Sequence, residues 1–262
     1  MPVIRIDRFD DWRLADYRNV SDAELLRRGN RFVAEGRLIV TRLVDAGHRV
    51  ESMLVNEASL RALDSAISRL PPDVPVYVCD TDDFTAITGF NLHRGCLALA
   101  ERPPARLFLD VAREAELLLV LEAVSDADNV GSAFRNAAAF GASVVLSDTC
   151  CDPLYRKAIR TSMGSVLRTA YARLRDWPDD LAALKTEGFT IFALTPRRDA
   201  NDLATCARRR RMALLVGSEG PGLTAAAEAM ADIRVRIPIR TEVDSLNLAT
   251  ATGIALHHFT NP

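Results

Sequence analysis

The stretch "LLVGSEGPGLT", residues 214–224, is where the pattern of the chain changes character. An uninterrupted apolar run, "MALLVG" at 212–217, ends in a loop of Ser218, Glu219, Gly220, Pro221 and Gly222. An alanine-rich helical run follows from Thr224. A strand that is apolar throughout is covered on both faces, as in a parallel sheet. The glycines at 217, 220 and 222 permit positive φ and close backbone approach. Strand, glycine-rich loop and helix in this order often cradle a phosphate. The details argue otherwise here. There is no Gly-Lys-Ser/Thr ending, which speaks against a triphosphate, and no G-x-G-x-x-G, so the dinucleotide fingerprint fails. Glu219 would repel a phosphate and suits a cation, a hydroxyl or an amine; the alternative is that it only accepts backbone N–H bonds in a turn.

Outward from this stretch the same alternation repeats. "LLLVLEAV" (117–124), "SVVLSD" (143–148), "FTIFALT" (189–195) and "IRVRIP" (233–238) read as strands. "VGSAFRNAAAFG" (130–141), two runs near 153–164 and 177–187, and runs from Thr224 and Leu246 read as helices. Alternation of this kind predicts an α/β domain with a parallel sheet. The prolines and charges of "ERPPARL" (101–107) mark a boundary that divides the chain into 1–104 and 105–262. Ahead of it, "RFVAEG" (31–36), "VESMLV" (50–55), "VPVYVC" (74–79) and "GCLALA" (95–100) read as strands. Helices are expected at "RLIVTRLVDAG" (37–47), stopping at Gly47, at "EASLRALDSAISRL" (57–70) and, briefly, at "TDDFTAI" (81–87). This first part is a small α/β domain of ordinary size.

With 262 residues, 48% of them hydrophobic, the chain can bury one large core or two modest ones. A net charge of −2 makes no case for a nucleic-acid partner, but its distribution is uneven. Residues 153–175 hold Arg156, Lys157, Arg160, Arg168, Arg173 and Arg175 and no acid, and Arg208–Arg211 form a second cluster. These are either solvated faces of an arginine-rich chain or phosphate-binding patches. The five cysteines form no C-x-x-C pair and the four histidines have no spaced partner, so reduced thiols and no metal are expected. No signal segment or long apolar run appears, which points to a cytoplasmic protein without a membrane partner.

Ligands of parallel sheets sit beyond the carboxyl ends of the strands. Three loops leave strand ends with unusual polar content. The first is "VSDADNVGSAFRNAAAFGA" (124–142), where Asn129 is either an N-cap or a site residue. Arg135 lies in an otherwise apolar helix and needs an ion-pair partner or an anionic ligand. The second is the glycine-rich loop. The third is "IPIRTEVDSLNLATATGIALHHF" (237–259), in which Asp244 or Ser245 caps a helix and Asn247 sits in its first turn.

In order and spacing, "DADNVGSAFRNAA", "GSEGPG" and "IPIRTEVDSLNLAT" resemble the three motifs of the SpoU (TrmH) family of RNA ribose 2′-O-methyltransferases, in the SPOUT superfamily. "RFVAEG" resembles the start of the L30e-like RNA-recruiting domain of that family, and "RTSMGSV" (160–166) its segment between the first two motifs. The departures are Asp126 and Ala127 where the family often has Asn-Pro, and Ile239 where it has Met. The resemblance implies an L30e-like RNA-recruiting domain at 1–104 and a SPOUT methyltransferase domain with a trefoil knot at 105–262. A knot runs against the general rarity of threaded chains. It further implies S-adenosylmethionine held by Gly217, Ile237 and Leu246, with Thr195 and Ser245 beside them. Catalysis would fall to Arg135, Asn129, Glu219 and Asn247. RNA contacts would come from Arg31, Arg156, Lys157 and Arg160, and the chain would form a homodimer through its knot domain. The extra N-terminal domain favours rRNA over tRNA as substrate. Two rivals are a non-catalytic ribosome-assembly factor that keeps the fold and a doubly wound nucleotide-binding enzyme, the latter opposed by the missing phosphate fingerprints.

Overall fold

A computed structural model describes residues 2–8, 10–18, 21–81, 84, 95–240 and 242–260. The chain divides into two compact units: Met1–Pro104 with Leu154–Leu167, and Ala105–Pro153 with Arg168–Pro262. The helix expected at 81–87 lies mostly outside the described residues.

In the first unit, β1 (Val3–Arg5), β2 (Arg31–Glu35), β3 (Val50–Val55), β4 (Val76–Val78) and β5 (Cys96–Glu101) form a sheet in the order β1-β4-β3-β5-β2. The strands β1, β4 and β3 run parallel, and β5 is antiparallel to both β3 and β2. Helix α1 (Asp22–Gly29) begins at Ser21, whose side chain accepts from the Glu24 N–H. Helix α2 (Arg37–Asp45) stops where expected, with Gly47 at φ 73° beyond its end. The helix expected over 57–70 is instead α3 (Glu57–Ala62) and α4 (Asp64–Ile67), broken at Leu63. Leu63, Ala66 and Ile67 are all buried, so packing overrides local propensity there.

The second unit contains a seven-stranded, wholly parallel sheet. Its strands are β6 (Leu117–Glu122), β7 (Ser143–Leu146), β8 (Tyr171–Arg173), β9 (Thr190–Leu194), β10 (Asn201–Asp202), β11 (Met212–Gly217) and β12 (Ile233–Arg236), in the order β10-β12-β9-β11-β6-β7-β8. Every residue of the interior strand β6 is buried, as its apolar run requires. Helices α5 (Phe108–Glu114), α6 (Ala127–Ala139), α8 (Asp180–Thr186), α9 (Ala225–Ala229) and α10 (Leu248–Thr260) belong to this unit. Helix α7 (Arg156–Thr161), although it falls between β7 and β8 in sequence, groups with the first unit. The core of the second unit gathers Leu118, Val120, Leu181, Ile191 and Leu215 around the sheet. Each such side chain contributes about 1.5–3 kcal/mol on burial. That core fixes the strand ends from which the three polar loops leave.

Candidate active site

The glycine-rich loop closes on itself. The Gly222 N–H donates to the Ser218 carbonyl at 3.1 Å, and the two residues form an isolated β-bridge. Gly220 and Gly222 take φ of 87° and 71°, as the sequence suggested. Gly217 has another reason to be glycine: a Cβ there would fall on the backbone of Gly222 and Leu223. The glycines therefore serve the loop's own fold, which accounts for their presence without a phosphate.

Asn247 joins the three loops. Its Oδ1 accepts from the N–H groups of Ala249 (2.9 Å) and Thr250 (3.3 Å), so Asn247 itself caps α10, in place of the expected Asp244 or Ser245. Its Nδ2 donates to Glu219 Oε1 at 2.7 Å and to Asn129 Oδ1 at 3.3 Å. Asn129 is buried in the first turn of α6, and the cap of that helix is Asp126, whose carboxylate accepts from the Asp128 N–H at 2.6 Å. The cap reading of Asn129 is thereby removed. With its Oδ1 turned toward Asn247, Asn129 presents its NH2 as a donor. Glu219 keeps one oxygen beyond the bond to Asn247.

Glu219 and Asn247 open onto a cavity of about 270 Å³ at the carboxyl ends of β9, β11 and β12. All five residues expected to hold a cofactor line it: Thr195, Gly217, Ile237, Ser245 and Leu246. Glu219 is the sole charged side chain among the described lining residues, and no cation faces the cavity. Such a lining rejects a polyphosphate and accepts a ligand that is partly apolar and carries positive charge. A sulfonium cofactor fits this lining, and the tight closure of the loop on Gly217 holds that wall of the cavity in shape.

Arg135 lies outside the cavity wall. It is exposed on α6, about 9 Å along the helix axis from Asn129. Exposure removes the burial argument for a partner, and among the described residues its guanidinium makes no ion pair. The other expected RNA contacts are engaged in the first unit. Arg31 meets Asp16 at 2.7 Å and Glu51 at 2.9 Å, Arg156 meets Asp22 at 3.0 Å, and Arg160 stands 3.7 Å from Glu35. Lys157 is exposed on α7. Among the described residues no group of His, Cys, Asp and Glu could hold a metal ion, and no helix is long and apolar enough to cross a membrane.

Behind the first loop, Arg173 donates to the carbonyls of Ser147, Asp148, Cys150 and Cys151 at 3.1–3.2 Å. The loop so gathered supports the start of the first motif: the Cys151 N–H donates to the Val124 carbonyl at 2.8 Å. Burial pushes the Cys150 thiol upward, so it sits there as a neutral neighbour of Val124 and Leu121. Sequence reasoning passed over Glu122. The available signal was a single carboxylate in an otherwise apolar strand, "LLLVLEAV".

Fold and site define a class that solved structures share. An AdoMet-bound rRNA methyltransferase from Sinorhizobium meliloti superposes with a TM-score of 0.81 at 23% identity, covering 98% of this chain and 97% of that one. This is the SPOUT methyltransferase fold. Residues 116–257 match the SpoU rRNA methylase family, and the chain belongs to that family as an RNA methyltransferase. An uncharacterised tRNA/rRNA methyltransferase of Mycobacterium tuberculosis is 40% identical over 96% of this chain and 89% of its own length. The 23S rRNA (guanosine(2553)-2′-O)-methyltransferase of Bacillus subtilis is 26% identical over 97% of this chain and 98% of its own.

Proposed function

We propose that this protein transfers a methyl group from S-adenosylmethionine to a ribose 2′-oxygen of rRNA. The observation that carries the reading is the cavity whose one charged lining residue among those described, Glu219, is tied by Asn247 to Asn129 of the first motif. Gly217, Ile237 and Leu246 would hold the cofactor through backbone and apolar surface, with Thr195 and Ser245 at the edge. When bound, the cofactor supplies an electrophilic methyl group on a sulfonium.

The chain's own residues prepare the nucleophile. A ribose hydroxyl attacks poorly until its proton leaves, so developing negative charge on oxygen needs donors. The Asn129 NH2, fixed in direction by Asn247, is such a donor. Glu219 sets one negative charge against a cationic ligand. The unpaired guanidinium of Arg135 binds the target phosphate and stabilises the alkoxide. Arginine stays protonated, so the proton passes to water or phosphate. The reacting nucleotide enters single-stranded or flipped out. The 2′-oxygen and rRNA assignments draw support from the Bacillus subtilis relative, named for that reaction on 23S rRNA. In the same reading the C-terminal segment closes the pocket as a trefoil knot, and two copies associate through this domain.

The test is transfer of labelled methyl from S-adenosylmethionine to total RNA of a strain lacking the gene, with rRNA and tRNA separated. Label is expected in rRNA and lost with Arg135→Ala. Label confined to tRNA, or none while cofactor still binds, would replace the reading with one of its rivals. Arg135→Lys separates a guanidinium from a simple charge: a near-normal rate would remove the specific role.

A further inference from the structure

We propose that Glu122 is a positioning residue that sets the conformation of the glycine-rich loop and thereby the affinity of the pocket for its cofactor. The second half of this inference rests on the S-adenosylmethionine reading above. Glu122 is the last residue of β6 and is 2% exposed. Among the described residues no cation pairs with it. Instead three donors converge on its carboxylate. Oε2 accepts from the Thr224 N–H at 2.8 Å, and Oε1 accepts from the Thr224 hydroxyl and from Trp177 Nε1, both at 2.7 Å. A buried carboxylate held this way depends on all of its donors.

The placement of those donors gives the residue its reach. Thr224 ends the glycine-rich loop and caps α9, its Oγ1 accepting from the Ala227 N–H at 3.2 Å. Gly217 begins the same loop and pairs in register with Glu122 across β11 and β6. One residue therefore holds both ends, the first through its backbone and the second through its side chain. Between them lie Glu219, Gly220 and Gly222, which line the cavity that Glu122 itself does not reach. The backbone just after Glu122 is also fixed: Ala123 takes φ 52°, and its N–H donates to Ser147 Oγ at 2.9 Å.

Glu122→Gln isolates the carboxylate because glutamine has the same shape but one acceptor atom. If its oxygen meets Trp177 and the Thr224 hydroxyl, its NH2 faces the Thr224 N–H. If it is turned over, its NH2 faces Trp177 Nε1. Either way two donors are forced together in a buried site.

The experiment measures amide hydrogen exchange of the segment 217–224 without ligand, and S-adenosylmethionine affinity by calorimetry below the thermal transition. Glu122→Gln is expected to speed exchange in that segment at least tenfold over the remainder of the sheet and to weaken cofactor binding about tenfold. Unchanged exchange in a folded variant overturns the clamp. Faster exchange with unchanged affinity overturns the link to the pocket. Should Glu122→Gln fail to fold, Thr224→Val and Thr224→Ser decide. Valine should reproduce both effects and serine should restore them, whereas a purely structural role would lower the melting temperature and leave affinity alone. If the wild type itself binds no S-adenosylmethionine, the cofactor reading fails, and the exchange arm alone then upholds or overturns the clamp.

Discussion

Gly217 and Gly220 sit three residues apart in one loop and should answer differently to the same added methyl. At Gly217 a Cβ would strike the backbone of Gly222 and Leu223, which cannot move without opening the loop. At Gly220 a Cβ meets nothing within 4 Å, and the penalty is that of φ 87° alone, about 1–2 kcal/mol. Gly217→Ala should abolish S-adenosylmethionine binding in a folded protein, and Gly220→Ala should weaken it less than tenfold; calorimetry on both variants checks this. Equal losses would mean that the loop's closure is not what forms the pocket. A second residue carries a pH dependence. Burial pushes the Cys96 thiol up from 9.0 to about 11. The neutral thiol is the form the fold favours, so its contribution is whole below pH 9 and is lost as pH rises toward 11. Unfolding free energies from urea titration should fall across that window, by a difference from Cys96→Ala on the order of 2 kcal/mol. A Cys96→Ala protein with the same alkaline slope would contradict it. Single residues of the site were legible where their chemistry is odd for their surroundings, as with Glu219 in a glycine loop. Glu122 is equally odd in β6, but its three donors come from remote segments that no local pattern connects.

Helix α10 shows how an element acquires its function at its cap. Asn247 caps the helix with Oδ1 and bridges Glu219 and Asn129 with Nδ2. Asn247→Ser keeps a capping oxygen and removes the bridge. The variant should melt within a few degrees of wild type and lose methyl transfer by tenfold or more, read by thermal unfolding and by the labelled-methyl assay. A loss of melting temperature matched by full activity would assign Asn247 to capping alone. The helix and its neighbours were readable as elements because their apolar runs are long and alternate in type, and "MALLVG" matches β11 residue for residue. The cap was not readable, since Asp244, Ser245 and Asn247 all have capping side chains and the choice among them is made by partners on other loops. Strands β8 and β10, of three and two residues, lie at the two edges of the sheet and are too short to show a pattern.

At the scale of the whole molecule the charges are mostly spoken for within each unit. Arg31, Arg156 and Arg160, which the sequence offered to RNA, stand within 4 Å of carboxylates, and a phosphate would have to displace those partners. Among the described residues Arg135 has no such competitor, which is why it, in contrast to those three arginines, carries the proposed phosphate contact. The sequence could show where arginines cluster but not which acids return from distant segments to meet them. The proposed self-association belongs to this scale as well. Ile254 is 41% exposed on α10, a helix that packs against α6 through the Asn136 Nδ2–Ala249 carbonyl bond at 2.7 Å and the Phe140–His257 ring contact. Thr250, Ile254 and His257 form the exposed stripe of α10, with Ile254 its apolar member, and the proposed contact would place that stripe against a second copy. Ile254→Asp would place a charge in that contact at little risk to the fold, because the side chain already faces water. Light scattering should give twice the 28.8 kDa chain mass for wild type and the single mass for the variant. A wild-type monomer would end the dimer proposal, and a variant that remains dimeric would move the interface to another face of the domain.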